Sequence, residues 1–465
     1  MKTIAILLAA GQGTRMKSDL PKVLQPVLGK PMIWHALEAV RQASSETPVV
    51  VVGHGAQAVT DYLGDSARTV IQDPQLGTAH AVLQAEPLLR GTLRQAQGEA
   101  GGLVLVCYAD MPLLRGETLA RLVEKQKANS GPFSMLTVFN DAPRGFGRII
   151  RAADGTVQAI VEEYVATEEQ KRIKELNVGA YCFNADWLWD ALSRIKKNPR
   201  KGEYYLTDAV EVAAKSGLPI QAEVMEDAKE AIGVNTRVHL SEVEAEMRRR
   251  VNESHMLNGV TLIDPASTYI EIGVTIGRDT VIWPNTYLHG KTEIGEGNAI
   301  GPDSMIRDSE IGNRCKVLMS MMEGAWLEDD VDVGPFARLR KGAHLGSHVH
   351  MGNFGEVKDS YLHDGVKMGH FSYIGNADIG SGTNIGAGTI TCNYDGEKKH
   401  PTEIGEDVFI GSDTMLVAPL KIGDSARTGA GAVVTKDVPS NTLVVGMPAR
   451  AIRKLEGKKN VKSKK

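Results

Sequence analysis

The sequence predicts two folded domains, an α/β domain with a mostly parallel, Rossmann-like sheet and a parallel β-helix. Up to about residue 235, strand-like apolar runs alternate with segments of helical spacing. This alternation is typical of a parallel sheet covered by helices. Beyond residue 257 an aliphatic side chain recurs every six positions, which fits short strands stacked in coils. We therefore predict an N-terminal domain at 1–234, a linker helix at 235–256, a β-helix at 257–453 and a basic disordered tail at 454–465.

Composition excludes several classes of function. The chain has 53 Lys and Arg against 57 Asp and Glu, a formal net charge of -4, so it has no general attraction for nucleic acid or anionic lipid. Its four cysteines are scattered without the spacing of a zinc site or disulfide framework. No apolar run reaches the ~20 residues of a membrane helix. We expect a cytoplasmic protein without nucleic-acid binding or membrane insertion.

The N-terminal elements follow from periodicity. Residues 3–9, 48–53 and 103–109 are predicted strands, and residues 33–43 have helical spacing. The small, polar stretch 91–102 is predicted to be a surface loop. Apolar residues at helical intervals after Asn235 or Thr236, either of which can cap a helix, predict the linker helix.

The six-residue period is the most regular feature of the C-terminal half. One inward-pointing side chain per short strand, with glycine permitting the turn, would generate a coil of three faces. An interruption at 393–401 indicates a binding face, because insertions in solenoids tend to map there. The predicted interior positions are Ile276, Ile282, Leu288, Ile294, Ile300, Ile306, Met321, Leu327, Val333, Leu339, Leu345, Met351, Val357, Leu362, Met368, Ile374, Ile404, Ile410, Leu416 and Ile422.

A turn of small residues follows the first strand. Residues 8–16 read Leu-Ala-Ala-Gly-Gln-Gly-Thr-Arg-Met, and Lys22 comes shortly after. Backbone N–H groups in such a turn approach phosphate oxygens, while Arg15 and Lys22 supply positive charge. The turn is neither GxGxxG nor GxxxxGK[ST], which disfavours dinucleotide and P-loop binding.

This turn resembles that of the sugar-nucleotide pyrophosphorylases. Further motifs occur in the order typical of that family, and the six-residue repeats resemble the left-handed helix of hexapeptide acyltransferases. Together they resemble the bacterial family of bifunctional N-acetylglucosamine-1-phosphate uridyltransferases and glucosamine-1-phosphate N-acetyltransferases. The further motifs are Gln72 with 75–78, residues 108–110, 145–148, 161–162, Asn177 and 233–235.

The resemblance implies the N-terminal site and its substrates, UTP and N-acetylglucosamine 1-phosphate. Asp110 and Asn235 would hold Mg²⁺, and oxygen ligands suit that ion. Gln72, Gly77 and Thr78 would hold uracil, while Gly147, Glu162 and Asn177 would hold the sugar. The remaining implied nucleotide or sugar contacts are Leu8, Ala9, Ala10, Gly11, Arg15, Lys22, Tyr108, Ala109 and Asn235.

Two positions in this domain depart from the family pattern. Gln12 stands where a lysine is common, which removes a phosphate contact. The run 163–165, Glu-Tyr-Val, replaces a charged run after Glu162.

Acetyl transfer to an amine needs a base near neutrality, usually histidine. His370 lies between two repeat positions, in a string that resembles the acetyltransferase motif. The resemblance implies that His370 is the general base acting on glucosamine 1-phosphate and acetyl-CoA. Arg340 and Lys358 would bind the phosphate, Tyr373 and Asn384 the sugar, and Ala387, Asn393, Tyr394, Ser412 and Ala430 acetyl-CoA.

The family also forms homotrimers whose acetyl-CoA site lies between subunits, so we expect a homotrimer. A CoA-binding arginine expected at Met447 is absent, and Arg450 is a candidate replacement. His344, His348 and His350 suggest a zinc cluster, but a six-residue repeat places His344 and His350 on successive faces. We expect these side chains to diverge.

Two alternatives remain open at this level. The β-helix could be a non-catalytic scaffold that binds effectors or partners, since fold alone does not establish activity. Alternatively, the N-terminal domain could use another nucleotide or sugar with the same mechanism.

Overall fold

The computed structural model describes residues 1–94, 102–199 and 201–454. The chain forms two compact units that divide between Met247 and Arg248, within a single long helix. The predicted boundaries at 234, 256 and 453 stay predictions.

The N-terminal unit is built from short strands and helices in alternation. Its described strands are β1 Thr3–Ala9, β2 Pro26–Val27, β3 Lys30–Pro31, β4 Val49–Val52, β5 Arg68–Ile71, β6 Leu103–Tyr108, β7 Phe133–Phe139, β8 Arg148–Arg151, β9 Val157–Val161, β10 Glu175–Asn184 and β11 Gln221–Val224. The described helices are α1 Met32–Ala43, α2 Ala56–Leu63, α3 Thr78–Gln84, α4 Glu86–Arg94, α5 Gly116–Ala128, α6 Glu168–Lys171, α7 Ala185–Arg194, α8 Asp208–Lys215 and α9 Arg237–Leu257.

The sheet runs in the order β11-β7-β10-β6-β1-β4-β5, with the β8–β9 hairpin attached to β10. Strands β6, β1, β4 and β5 are mutually parallel, as are β11 and β7, whereas β10 is antiparallel to both neighbours. The predicted mostly parallel sheet is therefore confirmed. Every residue of β1 is buried because helices cover both faces. The carboxyl ends of β1 and β6 meet at one edge, where Leu8 pairs with Tyr108.

The C-terminal unit is a parallel β-helix with three faces, and its fold class is confirmed; its handedness stays a prediction. The first face contains Thr261–Leu262, Val281–Ile282, Ala299–Ile300, Lys316–Val317, Asp332–Val333, His350–Met351, Lys367–Met368, Asn384–Ile385, Phe409–Ile410, Arg427–Thr428, Thr442–Val445 and Arg450–Lys454. The second contains Tyr269–Ile270, Tyr287–His289, Met305–Arg307, Met321–Glu323, Arg338–Leu339, Gly355–Lys358, Ser372–Gly375, Ile390–Cys392, Met415–Val417 and Val433–Val434. The third contains Thr275–Ile276, Glu293–Ile294, Glu310–Ile311, Trp326–Leu327, Ala343–Leu345, Ser360–Leu362, Ala377–Ile379, Thr402–Ile404 and Leu420–Ile422.

Interior positions follow the predicted repeat with one error. Met321 was predicted to point inward, but its side chain is 53% exposed, whereas Met322 is 2% exposed. The repeat takes five-residue steps from Ile306 to Ile311 and from Val317 to Met322, so the interior position falls one residue later than predicted. Elsewhere aliphatic side chains stack in the predicted register, which buries a continuous apolar column.

The predicted linker helix is α9, Arg237–Leu257. Thr236 is its N-terminal cap, because the backbone N–H of His239 donates to its hydroxyl at 3.2 Å. Part of the predicted loop 91–102 is wrong, since residues 91–94 continue α4; residues 95–101 lie outside the described part of the chain. In the predicted tail, Lys454 ends a strand, and 455–465 also lie outside it.

Candidate active sites

The predicted metal ligands converge at the carboxyl edge of the N-terminal sheet. Asp110 follows β6, and Asn235 lies just before α9. The Lys22 ammonium lies 2.5 Å from Oδ2 of Asp110 and 3.4 Å from Oδ1 of Asn235. The two oxygens thus already share one cation, and the backbone N–H of Val234 donates to the Asp110 carbonyl at 2.8 Å.

The glycine turn after β1 packs closely against Lys22. Gly13 has φ 62°, and a Cβ there would lie 2.7 Å from Cβ of Lys22. Any larger residue would displace the lysine as well as strain the backbone. Leu8, Ala9, Ala10 and Ala109 are buried, so they can contribute backbone groups, whereas Gly11 and Arg15 are exposed.

A cavity of about 230 Å³ opens beside Asp110. It gathers predicted sugar and metal residues that are far apart in sequence. The predicted residues lining it are Tyr108, Asp110, Gly147, Glu162, Asn177 and Asn235. The cavity also has Gly233 of the 233–235 motif in its wall, together with Thr207 and Gly179, to which the sequence had assigned no role.

Glu162 is a second acidic group in the cavity wall, besides Asp110. Burial raises the pKa of Glu162, while a hydrogen bond from Thr207 and the charge of Lys201 oppose that rise. The Thr207 hydroxyl donates to Oε1 of Glu162 at 3.2 Å. Asn177, also buried, exchanges hydrogen bonds with the Tyr181 hydroxyl at 2.8 and 3.0 Å. Glu162 is therefore a hydrogen-bond acceptor placed inside a polar cavity.

The predicted uracil residues form a separate turn. Gln72 donates to the Gly77 carbonyl at 2.9 Å, and the backbone N–H of Leu206 donates to the Thr78 hydroxyl at 2.9 Å. Gly77 has φ 100°, and a Cβ there would lie 2.5 Å from the carbonyl oxygen of Tyr204. The three predicted residues thus come together. The segment that contains Tyr204 and Leu206 supports them, and no sequence motif had indicated it.

In the β-helix, the predicted catalytic residue and three of the five predicted acetyl-CoA residues share one corner. His370, Ala387, Ser412 and Ala430 each lie between a first-face and a second-face strand of successive coils. Backbone hydrogen bonds join these coils along the corner, from Asp413 N–H to the Ala387 carbonyl at 2.6 Å and from Gly431 N–H to the Ser412 carbonyl at 2.8 Å. His370 is exposed, and small residues follow it along the row.

The predicted phosphate residues form a cationic cluster at the other end of the second face. Arg340 pairs with Glu356 at 2.9 Å. The adjacent Lys358 lowers the pKa of Lys399, and the Arg340 charge adds to that effect. Lys399 belongs to the interruption of the repeat and was missed by the sequence analysis. Three cations gathered on one surface favour an anionic ligand.

Tyr373 and Asn393 lie beside this cluster. Gly375 permits their approach, since a Cβ there would lie 2.5 Å from the Tyr373 hydroxyl and 2.8 Å from Nδ2 of Asn393. Asn393 donates to Oδ1 of Asn376 at 2.8 Å. Tyr394 is 61% exposed in the hairpin that forms the interruption.

Other predicted residues lie apart. Asn384 is on the first face, whereas Tyr373 is on the second. His344 and His350 are on the third and first faces, so the predicted divergence is confirmed. Met447 and Arg450 are exposed, and replacement of the missing arginine by Arg450 stays a prediction.

Within the described ranges, no helix has both the length and the hydropathy needed to cross a membrane.

The fold and sites define a transferase with two parts, a nucleotide-binding α/β unit and a hexapeptide-repeat β-helix. The MobA-like NTP transferase domain family matches residues 5–167, and the bacterial transferase hexapeptide family matches 273–308 and 401–436.

Relatives match nearly the whole chain. "Bifunctional protein GlmU" of Geobacillus sp. (strain WCH70) is 46% identical, covering 98% of this chain and 97% of its own. The proteins of that name from Enterococcus faecalis and Caldanaerobacter subterraneus are each 47% identical, covering 97% and 95% of this chain and 96% and 94% of theirs. The chain belongs to the GlmU family of bifunctional proteins. The predicted pair of activities, a uridyltransferase and an acetyltransferase, is confirmed.

Proposed function

We propose that the β-helix acetylates glucosamine 1-phosphate with acetyl-CoA, and that the N-terminal unit then transfers UMP from UTP to the N-acetylglucosamine 1-phosphate formed. The observation that carries this proposal is the cavity that joins Asp110 and Asn235 to Glu162 and Asn177. One wall suits phosphates and a cation, and the other suits a hydroxylated sugar.

In the uridylyl transfer, a phosphate oxygen of the sugar phosphate attacks the α-phosphorus of UTP and pyrophosphate leaves. This chemistry needs alignment and charge neutralisation more than a protein nucleophile. Lys22 and the backbone N–H groups of the glycine turn neutralise phosphate charge, while Glu162 and Asn177 orient the sugar. Gln72, Gly77 and Thr78 position the base.

Asp110 and Asn235 fit a divalent cation. Their oxygens are hard ligands, and both already contact one positive group, the Lys22 ammonium. We assign Mg²⁺ to these two residues. The ion, when bound, neutralises charge on the phosphates.

In the acetyl transfer, the glucosamine amine attacks the thioester carbonyl and CoA leaves as its thiol. His370 removes the proton that the amine loses and returns it to the departing sulfur. Arg340, Lys358 and Lys399 bind the phosphate of the acceptor, beside Tyr373 and Asn393. The corner row that continues from His370 through Ala430 provides a narrow surface for the CoA chain.

The uridylyl assignment is tested by nucleotide choice. With N-acetylglucosamine 1-phosphate and Mg²⁺, the protein is expected to release pyrophosphate from UTP at least about 10²-fold faster than from ATP or GTP, because a turn built for one base leaves polar groups unpaired with another. Pyrophosphate release is measured with each nucleotide in turn. A purine preference would contradict the proposal.

An exposed phenylalanine ridge supports a homotrimer whose acetyl-CoA site lies between subunits. We also propose that the protein acts in the cytoplasm. Phe336, Phe354 and Phe371 are 56%, 60% and 54% exposed, and the first two rings stack at 5.3 Å. They lie in successive coils on the same corner as His370. Exposed apolar side chains in a row are typical of an interface.

The ridge gives a test of assembly. Phe354→Asp, compatible with the positive φ of 57°, is expected to dissociate the trimer and lower acetyl transfer by at least about tenfold, since a buried charge opposes association. Sedimentation is measured together with thiol and pyrophosphate release, and the latter should not change. A wild-type monomer that acetylates normally would contradict the shared site.

A further inference from the structure

Residues 201–207 contact both the predicted uracil turn and the sugar side of the N-terminal cavity. Tyr204 donates its N–H to the Leu76 carbonyl at 2.7 Å and accepts from the Ala79 N–H at 2.9 Å, next to the uracil turn. Three residues later, the Thr207 hydroxyl donates to Glu162. The segment therefore fixes the position of the Glu162 carboxylate relative to the predicted uracil turn.

Lys201 opens this segment and makes a contact of its own. Its ammonium lies 4.6 Å from the centroid of the Tyr164 ring, a cation–π distance. Tyr164 belongs to the turn Glu163–Val165, directly after Glu162. Lys201 thus lies on the residue that stands two positions after Glu162.

We propose that Lys201, held on the Tyr164 ring, is a positioning residue that keeps the half-buried Glu162 charged and ready to accept hydrogen bonds from the sugar hydroxyls. The inference rests on the proposed uridylyl transfer and assigns a residue to the sugar side of that site. Tyr164 sets where the ammonium lies, and Lys201 supplies the charge.

The groups around Glu162 explain why a cation is useful there. Burial raises its pKa, and the one further cation close by, Arg148, pairs with the adjacent Glu163 at 3.3 Å in the described part of the chain. Asp208, at the start of α8, has its pKa raised to about 6 by burial and by the Glu211 and Glu162 charges. The Glu162 charge also raises the pKa values of the Tyr108 and Tyr181 phenols, and among the described residues the Thr207 hydroxyl and Lys201 favour its charged form.

Glu162 is needed as a carboxylate, so its contribution is lost as pH falls through its raised pKa. Removing Lys201 raises that pKa further. The loss is therefore largest at acidic pH and disappears at alkaline pH, where the carboxylate is charged without help.

The test compares Lys201→Met, Lys201→Arg and Tyr164→Leu with wild type, using UTP, Mg²⁺ and N-acetylglucosamine 1-phosphate. We expect Lys201→Met to raise KM for the sugar phosphate about threefold at the lowest pH at which the wild-type protein is active, the size of a partly exposed ion-pair effect, and hardly at all at alkaline pH. KM for UTP should not change. Lys201→Arg should keep the wild-type dependence of the sugar-phosphate KM on pH. Tyr164→Leu should show the same trend more weakly, and no further effect when combined with Lys201→Met.

The KM of each variant is divided by the wild-type KM at the same pH, because this ratio removes the effect of the substrate phosphate's own titration. An equal loss at both pH values, or no rescue by arginine, would overturn the role of Lys201 while leaving the proposed function in place. A wild-type protein that released no pyrophosphate from UTP with this sugar phosphate would overturn the proposed function, and the inference with it.

Discussion

Replacing His370 by alanine is expected to lower CoA thiol release by about 10²- to 10⁴-fold, the range for loss of a general base. The amine must lose a proton as it attacks the thioester, and no other histidine lies on the corner row with Ala387, Ser412 and Ala430 among the described residues. Pyrophosphate release from UTP and N-acetylglucosamine 1-phosphate should be unaffected. Thiol release is measured with glucosamine 1-phosphate and acetyl-CoA.

His363→Ala is the matched control for this variant. His363 lies in the same β-helix but pairs with Asp378 at 2.9 Å, on the third face. Its loss should leave thiol release within about twofold, since an exposed ion pair contributes little. A His370→Ala protein that acetylates at the wild-type rate would remove His370 from the mechanism.

Asp110→Asn is expected to lower pyrophosphate release by at least about 10²-fold without changing thiol release. The substitution keeps the shape of the side chain but removes the charge that faces Lys22 and the proposed metal position. Charge stabilisation at a phosphoryl group in transfer is worth several kcal/mol, which corresponds to this loss. The initial rate of pyrophosphate release is measured over a range of Mg²⁺ concentrations. Excess Mg²⁺ should recover only part of the rate that Asp110→Asn loses.

The control for this charge change is Asp154→Asn. Asp154 is an exposed carboxylate that accepts hydrogen bonds from Thr156 in the β8–β9 turn, away from the cavity wall. It should retain wild-type rates for both products. If Asp110→Asn also retained full uridylyl transfer, the carboxylate would have no part in the chemistry.

Much of the architecture could be predicted because it repeats. The strands around β1 and β6 are continuous apolar runs, and parallel strands deliver Asp110 to a shared edge. The six-residue period likewise identified most interior positions of the β-helix. It failed at Met321 because five-residue steps shift the register, and periodicity alone does not locate such steps.

The sites were harder to predict in full. Lys399 lies in an interruption of the repeat, where no periodicity assigns a direction to a side chain. Tyr204 and Thr207 act through backbone and hydroxyl contacts in a segment without a distinctive motif. Gly13 stood in a recognisable turn, yet only the structure reveals that it makes room for Lys22.

We conclude that one chain carries two separate transferase sites. The most direct test mixes the His370→Ala and Asp110→Asn proteins with glucosamine 1-phosphate, acetyl-CoA, UTP and Mg²⁺, and measures UDP-N-acetylglucosamine. Each variant alone should form almost none, whereas the mixture should form it readily, because each supplies the step that the other lacks. Product from either variant alone at the wild-type rate, or a wild-type protein that releases pyrophosphate but never thiol, would contradict the claim.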